Sequence, residues 1–570
     1  MAKAFNALGT TEEVVVPADI SHMATQTYVN NALSTALDGV ATEAKQNAAK
    51  AVIDDTNARV KTIERRMSPI GPCRYCVANG GTLRWRDPGD TALPGGIVWA
   101  KWARTVIVRR DDGECPTSPA DGVVVATSTV RNQYFETPLV DSGYISTSKY
   151  RAFPFSTEGY CNEEDSNEFT AAWTFGFEID TSDSDPETCV TYIEDNAEFS
   201  PVRMDFALDV CNLGSWRPFV EENFAPAMLT YGGEIDELLN PDDLTLTKDG
   251  NTSKVADLNF NGNAMLIVKP LFWNIVEAEG IVTVRVSNVK RGDDWFNWTH
   301  LMHDGGISPF CAWPLFEGAV SSGKMRSIAT GAVPTGNLTQ TAELQNAQAN
   351  GANWYTTTVA DEMAIKLLFV LLTRTLDSNA AIGQTYVSGA AALQIACGSQ
   401  TDKGWFYGKH FDGTNNVQVG TKFLGMENMW AHRLRRAAGV VLSNGNWLTK
   451  MTPSRIDGSA SDVFLTTNDS APYTQAYVQS GNISTALTSG ASITRMNFGS
   501  RGAMLPRTAS GGSTATYYCD NVWTTTGLLC PRFGGGLASG LAGGVFSCLA
   551  STAPSSAVWH VGASLSYHAF

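Results

Sequence analysis

The residues best suited to chemistry form no complete catalytic or metal-binding motif. Cys73 and Cys76 make a CxxC pair in PCRYC, but a zinc site needs four ligands and no second pair lies nearby. His300 and His303 make an HxxH pair in WTHLMHDGG, without the glutamate and the helical period of a zinc protease. The acidic loops CNEEDSNEF and DTSDSDPET lack the spacing of an EF-hand. We therefore predict no catalytic residue, no metal and no cofactor.

The bulk composition predicts a folded, β-rich protein rather than a nucleic-acid-binding or membrane protein. The 570 residues carry 41 basic and 57 acidic side chains, a net charge of −16, which argues against contacts to phosphates. The 52 glycines and the few long helical runs favour β-strands and loops. The N-terminal residues MAKAFNALGTTEEVVVPADI lack the apolar stretch of a signal peptide, so we expect no export signal. The longest apolar run, Met363–Thr373, contains a lysine and is too short to span a bilayer, so it predicts a buried helix and no membrane insertion.

The elements that must position any site fall into four predicted regions. These are an N-terminal arm (1–20), a coiled-coil helix (21–67), one or two β-rich middle domains (73–233) and a final domain (234–570). The helix is predicted from apolar residues at heptad spacing with one stutter: Leu33, Leu37, Val40, Ala44, Ile53, Val60, Ile63 and Met67. A seam of this kind favours a homotrimer, and packing of the helix on its own chain is the alternative.

Shorter patterns predict the elements of the later regions. The segments GGIVWAKWARTVIVRR, GVVVATSTV and AMLIVKPLFWNIVEAEGIVTVRVSNVK indicate strands. The segments LTQTAELQNAQANG and TTTVADEMAIKLLFVLLTRTL indicate two helices, the second with Thr358 as its N-cap and Glu362 in its first turn. The predicted class is therefore α+β and β-rich, with several domains. The eleven cysteines are irregularly spaced, which favours reduced thiols.

Three segments in order carry a family resemblance. FLGMENMWAHRLRRAAGVV resembles the FG-x-EN-x-WG segment of the formylglycine-generating-enzyme type of C-type lectin fold, and GAMLPRTASGGSTATYYCDNVW resembles the segment before the variable end of that fold in phage tropism proteins. The closing stretch resembles the pattern GG-x-x-x-x-G-x-x-AG-x-F followed by S-x-W-x-IG-x-R-L. Its frame here is Gly535, Gly536, Gly540, Gly544, Phe546, Ser556, Trp559, Val561, Gly562 and Leu565, whereas Gly543 and Ser564 depart from it.

The resemblance implies a member of the phage receptor-binding or tropism-determining proteins. Some proteins of this family are diversified by a retroelement. Such proteins are typically homotrimers at the tip of a tail fibre. The implied architecture is an N-terminal trimeric coiled coil, a β-rich middle region and a C-terminal C-type-lectin-like fold. The implied location is the virion, and the implied partners are other phage tail or baseplate proteins, bound through the N-terminal region, and a host cell-surface receptor, either protein or glycan.

The resemblance also implies which residues would contact the receptor. Glycines supply the φ > 0 corners of the last loops, and Phe546 and Trp559 are assigned to the core. The gaps between these anchors are expected to face outward and to bind: Leu537, Ala538, Leu541, Ala542, Ser547, Cys548, Leu549, Ala550, Ser551, Ala557, Val558 and His560.

Three alternatives remain open. The chain is a structural baseplate or capsid-decoration protein without a receptor role, or its glycine-rich end is a β region that binds nothing, or it is an enzyme like the formylglycine-generating enzymes. The last requires a reactive cysteine. Cys519, Cys530 and Cys548 lie in the relevant region, but no matching catalytic pair and no basic neighbours that would activate a thiol are present.

Overall fold

The chain forms two compact units, Met1–Ala171 and Ala172–Phe570. The structure, a computed structural model, describes residues 2–5, 11–14, 70–92, 98–170, 172–302, 306–387, 394–451 and 480–569. The predicted coiled-coil helix, 21–67, lies outside the described residues. Within these ranges the chain is β-rich and contains five helices, which confirms the β-rich class.

The first unit consists of short antiparallel strands. They are β1 (Ala2–Phe5), β2 (Thr11–Val14), β3 (Arg74–Asn79), β4 (Thr82–Arg86), β5 (Thr91–Ala92), β6 (Val98–Ala100), β7 (Trp102–Arg110), β8 (Val123–Ser128), β9 (Leu139–Val140) and β10 (Lys149–Ser156), with a helical turn α1 (Gln133–Glu136). The sheets have the orders β10-β7-β8, β3-β4-β9, β5-β6 and β1-β2. The strands predicted from the two valine-rich segments are confirmed as β6, β7 and β8.

The second unit contains most of the strands. They are β11 (Thr174–Asp180), β12 (Val190–Glu194), β13 (Arg203–Asp205), β14 (Val210–Asn212), β15 (Phe224–Thr230), β16 (Ile235–Leu238), β17 (Gly262–Val268), β18 (Phe272–Ala278), β19 (Ile281–Ser287), β20 (Cys311–Pro314), β21 (Ala319–Ser321), β22 (Lys324–Arg326), β23 (Trp354–Thr356), β24 (Lys422–Phe423), β25 (Met426–Glu427), β26 (Leu434–Arg436), β27 (Val440–Ser443), β28 (Asn446–Lys450), β29 (Ser480–Ser484), β30 (Ala486–Leu487), β31 (Ala491–Asn497), β32 (Leu505–Ala509), β33 (Asn521–Thr524), β34 (Leu528–Leu529), β35 (Arg532–Phe533), β36 (Cys548–Ala550), β37 (Val561–Gly562) and β38 (Leu565–His568). Its helices are α2 (Arg217–Asn223), α3 (Gln340–Gln348), α4 (Val359–Thr373) and α5 (Ser378–Ala381).

Four larger sheets organise the second unit. Their strand orders are β12-β11-β19-β18, β16-β15-β17-β20-β38-β23, β30-β32-β31-β33-β36-β35-β26-β37 and β29-β28-β27-β34. Strand β11 pairs with β19 and strand β15 pairs with β17, so residues on both sides of position 233 share sheets. The boundary predicted between 233 and 234 therefore runs through two sheets, and the contacts divide the chain at Ala171 instead.

The core of the second unit is built around α4. All fifteen of its residues are buried, as the apolar run predicts. Thr358 caps the helix: its hydroxyl accepts from the Asp361 backbone N–H while the Asp361 side chain accepts from the Thr358 N–H, a capping box. The predicted N-cap and the predicted helix α3 are both confirmed. Across the described ranges, no helix combines the length and the apolar character that a membrane span requires.

Strand β38 holds the last described residues in the interior. It lies between β20 and β23 in the six-stranded sheet, where Tyr567 is opposite Ala312 on one side and Trp354 on the other. His568 Nε2 lies 3.1 Å from Asp361 Oδ2, and the Ser566 hydroxyl donates to the same oxygen at 2.7 Å. The strand is thereby tied to the capped end of α4.

Candidate functional site

The segment FLGMENMWAHRLRRAAGVV forms the inner strand β26 of the eight-stranded sheet. Strand β26 is antiparallel to β35 and parallel to β37. The segment carries Arg433, Arg435 and Arg436, with Leu434 after the first of them. All three arginines are buried, as is Arg532 on β35. Buried guanidinium groups require charged or carbonyl partners, so the sheet must bring acceptors to this strand.

Arg436 receives its acceptors from two distant parts of the chain. Its Nη1 donates to Glu343 Oε1 at 2.7 Å and to the Leu338 carbonyl at 2.9 Å. Its Nη2 donates to the carbonyl of Ser556. Burial raises the pKa of Glu343 to about 7, against the opposing effect of Arg436. The arginine therefore joins helix α3 to the residues that follow β36.

Two further arginines hold the same region. Arg433 Nη1 donates to the carbonyl of Trp559 at 2.6 Å, and Arg532 Nη2 donates to the Ser551 hydroxyl at 3.3 Å. Burial lowers the pKa of Arg433 and lowers that of Arg532 to about 10. We call residues 551–560 the contact segment, and Arg433, Arg436 and Arg532 the clamp arginines.

The backbone carbonyls of the contact segment accept hydrogen bonds from residues outside it. The carbonyls of Thr552, Pro554, Val558 and His560 accept from backbone N–H groups at 2.9, 3.1, 3.0 and 3.2 Å; the donors are Cys530, Gln340, Asn337 and Leu434. With the carbonyls of Ser556 and Trp559 held by the clamp arginines, six carbonyls are fixed from outside. The path of the segment therefore depends little on its own side chains.

The side chains of the contact segment alternate in exposure. Those of Ala553, Ser555, Ala557 and Trp559 are exposed, while Pro554 between them is buried. These exposed side chains form an outward row that spans two turns, closed by hydrogen bonds from the Ser556 N–H to the Ala553 carbonyl at 3.0 Å and from the Val561 N–H to the Val558 carbonyl at 3.3 Å. The outward row ends in Trp559, which is 36% exposed and packs edge-on against the imidazole of His560 with the ring centroids 5.2 Å apart.

The preceding glycine-rich loop is also held through its backbone. The Leu537 N–H donates to the His432 carbonyl at 3.0 Å, and the Leu537 carbonyl accepts from the Val387 N–H at 2.8 Å. Gly535 has φ 65°, and a Cβ there would lie 2.5 Å from the Gly543 Cα. The predicted left-handed corner is therefore confirmed at Gly535.

Gly544 is required for a different reason. A Cβ at this position would overlap the Ser378 hydroxyl and would lie 2.8 Å from both carboxylate oxygens of Asp520. Asp520 accepts from the Gly544 N–H and, at 2.8 Å, from the Phe546 N–H. Burial raises the pKa of this carboxyl group to about 7. Asp520 thus anchors the start of β36 from the inside.

The twelve predicted contact residues divide by exposure. Three are exposed, Ala538, Leu541 and Ala557, and four are half-buried, Leu549, Ser551, Val558 and His560. The predicted exposure is wrong for the other five, which are buried: Leu537, Ala542, Ser547, Cys548 and Ala550. Cys548 and Ala550 belong to β36, an inner strand that pairs with both β33 and β35, and the two lie on the same side of it.

The two aromatic residues assigned to the core behave differently. Phe546 is fully buried, as predicted, and its ring packs edge-on against Phe369 of α4 and Tyr518 at 5.7 and 5.2 Å. The assignment of Trp559 to the core is wrong. The Arg433 hydrogen bond holds its carbonyl. Its indole lies on the turn between Val558 and Val561 and is 36% exposed, so Trp559 belongs to the outward row.

The clamp arginines and Asp520 are the functional residues that sequence reasoning missed. Buried arginines are rare, and the acceptors of Arg436 and Arg433 in the contact segment lie 120 and 126 positions away along the chain. The local signal was the run of arginines between a tryptophan and an apolar stretch in WAHRLRRAAGVV. Without information about distant acceptors, such a run of arginines predicts side chains exposed at the surface.

The cysteines of the C-terminal region provide no activated thiol. All eleven cysteines are free. Burial raises the pKa of Cys530 and of Cys548 to about 12 and that of Cys519 further, so these thiols stay protonated near neutral pH. His300 is buried, and burial lowers its pKa to about 4. Its predicted partner, His303, lies outside the described residues.

One buried cluster has the residue types of a metal site. Cys311, Asp361 and His568 present ligand atoms within 4.8 Å of one another. The Asp361 carboxylate, however, already accepts from the Trp313 indole, the Thr358 N–H and hydroxyl, and the Ser566 hydroxyl at 2.7–2.9 Å. Its acceptor sites are occupied by the helix cap and β38, which indicates a structural role.

No protein-family model matches the chain, and no curated protein matches it.

Proposed function

We propose that this chain is a receptor-binding protein of a phage virion that attaches the particle to the host bacterial surface. The contact face consists of the outward row of the contact segment together with the exposed loop residues Ala538 and Leu541. One observation carries the proposal: six carbonyls of the contact segment are held by donors outside it. A segment fixed in this way presents different side chains on an unchanged backbone.

The composition of this face supports a contact role. Trp559 and Leu541 are large apolar residues, each 36% exposed, on a protein whose other outward residues here are alanine and serine. Binding energy at interfaces concentrates in a few anchors, and tryptophan is enriched among them. Small neighbours leave the indole accessible to a receptor. The host receptor, either protein or glycan, would therefore bind mainly to Trp559 and the residues around it.

The topology supports the C-type-lectin-like part of the proposal. The three segments that carry the resemblance all supply strands to the eight-stranded sheet: β26 from the first, β32 and β33 from the second, and β36 and β37 from the third. Helices α3 and α4 precede them, and β38 follows. Segments that share a motif and meet in one sheet are expected to act as one structural unit.

The proposal includes the assembly. A homotrimer formed through residues 21–67 would present three contact faces and multiply a modest affinity through avidity. The N-terminal region would dock onto other tail or baseplate proteins of the virion. Neither step requires a metal, a cofactor or nucleic acid.

Binding of the labelled full-length protein to a panel of bacterial strains tests the proposal. Trp559→Ser and Ala557→Glu should each change the affinity for individual strains by at least about tenfold, the equivalent of about 1.4 kcal/mol. The matched control is Leu208→Ser, at a side chain that is 73% exposed in the same unit and outside the contact face. Both contact variants should unfold cooperatively like the parent protein.

Two outcomes contradict the proposal. If the parent protein binds no strain of a panel that includes the phage host, a structural baseplate or decoration role replaces attachment. If Leu208→Ser changes binding as much as Trp559→Ser does, the contact segment is not the reading face.

A further inference from the structure

A second concave site lies in the same unit, away from the contact segment. It is a cavity of 470 Å³ between the four-stranded sheet of β18 and the eight-stranded sheet of β31 and β32. Its walls carry two guanidinium groups, Arg495 and Arg507, and several hydroxyl groups, including those of Thr494 and Tyr517. The volume is that of a small-ligand site.

The strands are distorted so that neighbouring side chains reach the cavity together. Adjacent residues of a regular strand point to opposite faces, yet Thr494 and Arg495 both line the cavity. The β31–β32 register shifts on either side of Arg495, between Ile493 and Met496. A β-bulge of this kind re-aims a side chain, here bringing the arginine to the same wall as the hydroxyl group.

Another residue of the cavity wall has a left-handed backbone. Tyr517 has φ 58°, unusual for a residue other than glycine, and its N–H donates to the Ser184 carbonyl at 2.8 Å. This hydrogen bond ties the backbone of the wall at Tyr517 to the loop that contains Ser184.

The charges in the cavity are not neutralised. In the described ranges, the guanidinium group of Arg495 makes no hydrogen bond and no ion pair within the chain. Arg507 Nη1 lies 3.7 Å from Glu277 Oε1, with both side chains more than a third exposed, which makes a weak pair. In a chain with a net charge of −16, two guanidinium groups facing one cavity with a single carboxylate leave a local excess of positive charge.

We propose that this cavity binds a sugar unit carrying one carboxylate or phosphate group. Arg495 binds the anionic group, because a guanidinium presents paired donors that match carboxylate and phosphate oxygens. The hydroxyl groups of Thr494, Ser510 and Tyr517 pair with the sugar hydroxyls. Glu277 restrains Arg507 in the empty cavity. This site shares no residue with the contact face and does not rest on the attachment function.

Titration calorimetry on the full-length protein at low salt tests the site. The probes are glucuronate, glucose 6-phosphate, inorganic phosphate and glucose. Glucuronate or glucose 6-phosphate should bind at least tenfold more tightly than glucose and than inorganic phosphate. Arg495→Gln should weaken that binding about ten- to a hundredfold, the loss expected for a charge-assisted contact.

Two more variants make the test specific. Arg501→Gln removes the same charge from an exposed position outside the cavity and should leave binding unchanged. Glu277→Gln frees Arg507 and should strengthen binding several-fold, a gain that damage to the fold would not produce. The proposal is overturned if no charged sugar binds, if glucose or phosphate alone binds as tightly, if R495Q and R501Q behave alike, or if E277Q weakens binding.

Discussion

The pair formed by Arg436 and Glu343 provides the most direct test of how the contact segment is held. Both side chains are 1% exposed, and Arg436 is the only group of this pair that also reaches the contact segment. Removing one partner of a buried pair costs about 3–5 kcal/mol because the other group stays buried without its partner. We therefore expect Arg436→Met to lower the free energy of unfolding by that amount.

The companion variant isolates the ion pair from the clamp. Glu343→Gln keeps an oxygen for Arg436 to bind and removes only the charge, so it should cost about 1–3 kcal/mol. The double variant should cost less than the sum of the two single variants by at least about 1.5 kcal/mol, since residues in contact couple strongly. Urea unfolding followed by tryptophan fluorescence measures all four proteins, and equal m-values would show that the unfolded state is unchanged.

The pH dependence gives the sign of the effect. Burial holds the pKa of Glu343 at about 7 in the parent protein, above its value of about 4.3 in an unfolded chain. Between these values the folded state keeps a proton that the unfolded state has lost, so stability falls as the pH rises. In R436M the folded pKa is higher still, so the fall continues above pH 7, where the parent levels off. The deficit of R436M should then grow by up to about 1.4 kcal/mol per pH unit.

Host-cell binding separates the two roles of Arg436. The E343Q variant retains the bond to the Ser556 carbonyl and should bind cells like the parent protein, whereas R436M should lose binding at temperatures where it is still folded. Additive costs within about 0.5 kcal/mol, or equal cell binding by the two variants, would refute the clamp reasoning.

Three further predictions concern single positions. Trp559→Ala should lower the free energy of unfolding by about 2–3 kcal/mol, because truncating a fully buried tryptophan costs about 3–5 kcal/mol and this side chain is about two-thirds covered. Urea unfolding measures the loss. A loss of about 4 kcal/mol or more, on the order expected for full burial, would show that Trp559 belongs to the core. Burial raises the pKa of Asp520 to about 7, so the stability of the parent protein should fall by about 1.4 kcal/mol per pH unit between pH 4 and about 7. Asp520→Asn should lack this fall. Unfolding free energies measured over a pH series test this, and parallel curves for parent and variant would contradict it. Gly544→Ala should cost about 1–3 kcal/mol by overpacking, with partial recovery in the G544A/S378A double variant; thermal melts measure both, and a neutral G544A would show that the backbone yields.

Local patterns predicted the elements whose burial depends on nearby residues. The apolar run of α4 and its Thr358 cap are confirmed, because capping and helix formation are decided within a few residues. The strands between Gly262 and Ser287 are confirmed for the same reason. A stretch of β-branched and aromatic residues predicts a strand without information about its partner.

The placement of individual side chains in the C-terminal region depended on distant partners. Cys548 is buried because β36 pairs on both sides with strands from elsewhere in the unit. Trp559 lies in a turn whose backbone is held by Arg433, 126 positions away, through a hydrogen bond to the Trp559 carbonyl. Neither pairing leaves a pattern near the residue itself. The glycine frame indicated the left-handed corner at Gly535, but the exposure of each gap residue was decided by tertiary contacts.

The interior position of β38 has a consequence for how changes in the coding sequence are filtered. Residues 565–568 follow the contact segment along the chain and form an inner strand between β20 and β23. A stop codon or a shift of reading frame within the contact segment therefore deletes this inner strand, and the product lacks the strand that joins β23 to β20. An in-frame codon exchange leaves that strand intact. Folding would thus discard truncated and frameshifted products and keep those that differ only in the side chains of the contact segment.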